Sequence, residues 1–84
     1  MATFVELHGT VTGLDGTKYT APIPGPDATR KIDGRVGPEK QRAAVASVVE
    51  RFKRFNPSRS VTAYRLLVGE NVLRARPLTE LIEL

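Results

Sequence analysis

His8 is the only histidine in the chain, and Glu6 stands two residues before it. Positions two apart on a strand share a face, so imidazole and carboxylate can meet there as a minimal general acid–base pair. A metal centre needs more, because several His, Cys or carboxylate ligands must converge; one histidine and no cysteine fall short. Nucleophilic catalysis finds little support. There is no G-x-S-x-G elbow, and Ser47, Ser58 and Ser60 lie outside any strained-turn motif. Gly13-Leu14-Asp15-Gly16-Thr17-Lys18 looks at first like a phosphate loop, but it lacks the GxxxxGK[ST] spacing and leads into a strand instead of a helix. An enzyme using His8 with Glu6 or Asp15 is therefore the weakest of three functional readings. No catalytic residue, cofactor or metal is expected.

Cationic chemistry is what the chain carries in quantity. Its formal net charge is +4, unevenly spread. Residues 1–29 sum to −2 and residues 60–84 to zero, while residues 30–59 hold nine Lys and Arg against Asp33, Glu39 and Glu50, a net +6. Such a concentration makes a local field that draws phosphates or acidic protein surfaces. Arg predominates, and its guanidinium fork matches carboxylate and phosphate bidentately. The candidate partner- or phosphate-binding residues are Arg30, Lys31, Arg35 and Lys40 leading into a helix, and Arg51, Lys53, Arg54 and Arg59 crowding its far end. The competing reading is a solvated helix face that only keeps the domain in solution. Helix-turn-helix, zinc-finger and RNP signatures are missing, and the five aromatic residues do not interleave with the cations, so sequence-specific nucleic-acid readout is not supported.

These groups must be positioned by a single small domain, since 84 residues leave no room for a second core. A hydrophobic share of 40% and a charged share of 26% match ordinary globular composition and not a disordered tail. The absence of cysteine removes disulfide scaffolds and thiolate sites. No apolar run approaches the roughly 20 residues of a membrane span, and Met1–Glu6 does not open like a signal peptide. A cytoplasmic location with no membrane partner is expected.

Residues 3–12 read as a strand, Gly13-Leu14-Asp15-Gly16 as a tight turn and Thr17–Ile23 as a returning strand. Residues 24–37, rich in Pro and Gly, read as a long connecting loop. Residues 38–55 are the clearest element: Val45, Val48, Val49, Phe52 and Phe55 gather into an apolar stripe, Pro38 suits a first turn, and Asn56-Pro57 stops the helix. Ser60–Val68 is a third strand, Gly69-Glu70-Asn71 a turn and Val72–Arg76 a fourth strand. Residues 78–84 fit strand and helical spacing alike and are read as a short strand, an edge that could pair with a second copy of the chain.

The fold class is thus α+β, with a ββαββ(β) order in which one long helix packs across a mixed or antiparallel sheet. That order, with the strand–turn–strand Tyr64–Leu73 after the helix, resembles the β-grasp layout of ubiquitin-like domains; their diglycine tail is missing, because the chain ends Glu83-Leu84. The resemblance is one of layout and brings no function with it. Two functional readings remain in front: an adaptor or inhibitor docking an acidic protein surface through the basic loop–helix face, and a sequence-nonspecific binder of nucleic-acid backbone through the same face.

Overall fold

The computed structural model describes residues 1–84 as six strands and one helix around a single sheet. β1 (Ala2–Thr12) turns through a hairpin into β2 (Lys18–Pro22), a short 3-10 turn (Pro26–Ala28) leads to β3 (Thr29–Ile32), and α1 (Pro38–Phe55) follows. β4 (Ala63–Gly69), a second 3-10 turn (Val72–Arg74), β5 (Arg76–Pro77) and β6 (Ile82–Glu83) complete the chain. Every strand pairing is antiparallel, with β1 and β4 the central pair. β2 and β3 share one edge of β1, and β5 and β6 share the outer edge of β4. The architecture is therefore α+β, a helix laid across one face of an antiparallel sheet.

The core lies between that face and the helix. Val5 and Leu7 of β1, Leu66 of β4, Ile23, Ala28 and the helical Val45, Val49 and Phe52 form one buried cluster. The spacing of the helical residues puts them on one side of α1, and the alternation of β1 turns Val5 and Leu7 toward it. Phe4 and Leu67 are buried as well, but the β1–β4 register places them opposite each other on the face away from the helix. Helix ends are held asymmetrically. Asn56 donates both its backbone N–H and its side-chain amide to the Phe52 carbonyl, whereas Gly37 offers no side-chain cap at the start.

The 24–37 segment is corrected in one respect: it is not wholly loop. Thr29–Ile32 pairs with Thr3–Glu6 of β1. Because β2 covers only His8–Thr12, the first half of β1 would otherwise keep an edge of unpaired N–H and C=O groups. The expected strand Val72–Arg76 is the second correction. Asn71 Oδ1 accepts the Arg74 N–H at 3.1 Å and fixes a 3-10 turn, so pairing with β4 waits until Arg76 and Pro77. Beyond Pro77 the Thr79 hydroxyl takes the Leu66 N–H at 3.0 Å, a side chain standing in for a ladder bond before β6 resumes. Of residues 78–84, expected as a short strand, only Ile82–Glu83 form one. No helix is long and apolar enough to cross a membrane.

Gly9 marks the closest approach of facing backbone to a glycine. A Cβ built there would run into the Ser60 carbonyl oxygen and touch the Ile23 side chain. Backbone on the facing side cannot move aside cheaply. Gly9→Ala should therefore cost about 1–3 kcal/mol, read as a lowered midpoint in urea at unchanged slope.

Candidate functional site

The predicted binding residues fall into distinct places. Arg30 and Lys31 are consecutive on β3 and so point to opposite faces; Arg30 lies opposite Val5, on the helix side, and its guanidinium is 3.9 Å from Asp27. Lys31 is exposed on the other face and shares a surface groove with Asp33, Arg35 and Glu70. Arg35 is almost fully exposed in the loop before α1, 3.3 Å from Asp33 through Nε. Lys40 stands in the first turn of the helix, where with Arg35 and Arg42 it surrounds a second groove at the uncapped N-terminus. Arg59 lies past the other helix end, beside Gly9, Pro24 and Ser60.

The helical cations do not share one face. Eleven residues make three turns and about 16 Å, so Lys40 lines up with Arg51, and Arg42 with Lys53. The two rows are separated by nearly half a turn, because residues 40 and 42 are about 200° apart. Arg54 lies near the first row. Arg51, Arg54 and the exposed Phe55 wall a groove with Ser47 and Glu50, in which the Arg51 guanidinium sits 5.9 Å from the Phe55 ring centroid. Arg54 reaches Glu50 at 3.3 Å, both side chains being mostly exposed. Phe55 itself corrects the expected apolar stripe: it is 64% exposed.

Five of the eight candidates, Lys31, Lys40, Arg51, Lys53 and Arg59, have no carboxylate within ion-pair distance, and the other three pair only at the surface. Exposed pairs of that kind are worth roughly 0–1 kcal/mol, weak enough to open for a competing carboxylate. Helix stability accounts for one cluster and not the other. Lys53 and Arg54 in the last turn favour the helix dipole, but Lys40 in the first turn opposes it.

Two aspartates hold turns, one in the β1–β2 hairpin and one just before α1. The Thr17 N–H donates to Asp15 Oδ1 at 2.9 Å and the Arg35 N–H to Asp33 Oδ1 at 3.0 Å. These backbone bonds favour the ionised carboxylates and lower both pKa values below the usual 3.8. The stabilisation they give is present above that value and disappears as pH falls through the lowered one. A carboxyl-carbon NMR titration should show midpoints below 3.8 for both residues; ordinary midpoints would mean that the bonds do not form in solution.

Away from the helix, His8 and Glu6 do meet, with Nε2 2.8 Å from Oε1. Arg65, invisible as a partner in the sequence because it is 59 positions away, donates from Nε to the same oxygen at 2.6 Å. Asp15 takes no part, being held in the hairpin turn. The carboxylate is thus shared by two donors, His8 being nearly buried and Glu6 mostly so. Glu6→Ala would leave His8 and Arg65 without their acceptor and should cost about 1–3 kcal/mol in urea unfolding, with Glu6→Gln recovering part of it. No group of three or more His, Cys, Asp or Glu side chains is placed to hold a metal ion. Comparison with protein-family models, with curated proteins and with solved structures gives no match.

Proposed function

We propose that this chain is a non-catalytic, cytoplasmic interaction module that docks an acidic protein surface through the row Lys40, Arg51 and Arg54 and the loop residue Arg35 ahead of it. The observation that carries this reading is the row of accessible cations, two of them (Lys40 and Arg51) without an intramolecular carboxylate, along one flank of an exposed helix. Ala43 and Ser47 lie between them, small side chains that let a partner approach closely. Asp33, Glu39 and Glu50 stand among the cations, and this favours a protein over nucleic acid: a polyphosphate repels each of them, whereas a protein can answer both signs.

Capture of partners on the immobilised domain, with and without nuclease, tests the assignment. The expected result is a stoichiometric protein that survives nuclease and is released by Lys40→Glu with Arg51→Glu. Capture that vanishes with nuclease overturns it. So does a shift of random duplex whose log–log salt slope is near −4.5, the mark of about five phosphates and a loss of roughly 500-fold between 50 and 200 mM salt.

A further inference from the structure

The topology gathers four segments at one end of the sheet. β1 begins there, opposite the end of β4 at Gly69, and β3 ends there, opposite Thr3. The loop to α1 and the 3-10 turn after β4 therefore lie at the same pole. Two grooves adjoin across Met1 and Glu70: one carries Lys31 and the Arg35–Asp33 pair, the other Arg74 and Arg76, so cations outnumber carboxylates four to two. Lys31, Arg74 and Arg76 have no ion-pair partner. From the turn that bounds the second groove, Leu73 projects into solvent, 97% exposed, with Val72 beside it at 46%. Leu73 and Val72 thus set an accessible aliphatic surface beside these cations, on a turn fixed by the Asn71 cap.

We infer that this pole reads an acidic segment carrying an aliphatic side chain: carboxylates meet Lys31, Arg35, Arg74 and Arg76, and the apolar residue packs on Leu73. The inference rests on the reading of the chain as an acid-docking module and gives the partner's chemistry. Arg35 joins the two surfaces, lining the groove at the helix start as well as the one holding Lys31. Glu70, which lines both grooves, disfavours a continuous anionic bilayer, whereas a peptide can set its carboxylates on either side of it.

Fluorescence anisotropy at 50 mM salt with two labelled dodecapeptides decides the matter, one built of Asp, Glu and Leu, the other with Ser in place of every Leu. The Leu peptide should bind about tenfold more tightly, the value of one aliphatic contact removed from water. Leu73→Ser should abolish that preference and leave binding of the Ser peptide unchanged, with the circular dichroism spectrum intact. Equal binding of the two peptides, or a preference that survives Leu73→Ser, overturns the inference while leaving the acid-docking module standing. Binding of neither peptide overturns both. Co-sedimentation with phosphatidylserine vesicles that Leu73→Ser abolishes, without discrimination between the peptides, would reassign the pole to a membrane surface.

Discussion

Phe52→Ala should destabilise the domain by about 3–5 kcal/mol, while Phe55→Ala, three residues on, should cost no more than about 1 kcal/mol. Phe52 is 3% exposed and belongs to the cluster that joins the helix to Val5, Leu7 and Leu66. Truncating a buried Phe to Ala costs about 3–5 kcal/mol through lost transfer energy and the cavity left behind. A domain of this size has only about 4–12 kcal/mol in total, so one such cavity can consume most of it. Phe55 loses an exposed ring and one cation–π contact with Arg51, worth about 0.5–1 kcal/mol at such a site. Guanidinium unfolding followed by circular dichroism separates the two outcomes. Equal costs for the two variants would mean that the helix is rotated from the orientation described.

The same pair of residues shows what could be read from the chain alone. The helix and its packed side follow from Val45, Val48, Val49 and Phe52, whose spacing holds within about 100° of arc. Phe55 is ten residues past Val45, about 80° round from it, and stands in the final turn with its ring mostly exposed. Membership of a stripe was readable; the place where its cover ends was not, because that depends on the partner layer. β3 escaped detection because Arg30 and Lys31 hide the alternation in a four-residue strand. Its existence is nonetheless implied by the length of β1, which outruns the hairpin partner and leaves backbone to be paired.

The candidate site was legible in the same partial way. The surplus of charge over residues 30–59 needs only counting, and the spacing of eleven between Lys40 and Arg51 needs only helical geometry. Arg74 and Arg76 were lost in a segment whose charges cancel, since a net sum along the chain does not know that folding brings them to the same pole as Lys31. The link from Arg65 to Glu6 is likewise a product of the β1–β4 register, which sets those two residues opposite each other.

Because the helical cations form two rows, reversing each row has a different expected outcome. Lys40→Glu with Arg51→Glu should weaken binding to the proposed acidic partner about 100-fold, while Arg42→Glu with Lys53→Glu, the same change in net charge, should weaken it no more than about threefold. The equal charge change matters, since long-range attraction to an acidic body falls alike in both variants and only direct contact distinguishes them. Unfolding does not explain such a loss. Glu at position 40 sits in the first turn, where the helix dipole favours an anion by about 0.3–1 kcal/mol, and position 51 gives up only the contact with Phe55. The first variant should therefore melt close to the wild-type temperature and yet fail to bind in calorimetric titration. If both variants lose the partner equally, the cations act as a diffuse field and no docking flank exists. If neither does, the basic helix is a solvated face and the partner sits elsewhere on the molecule.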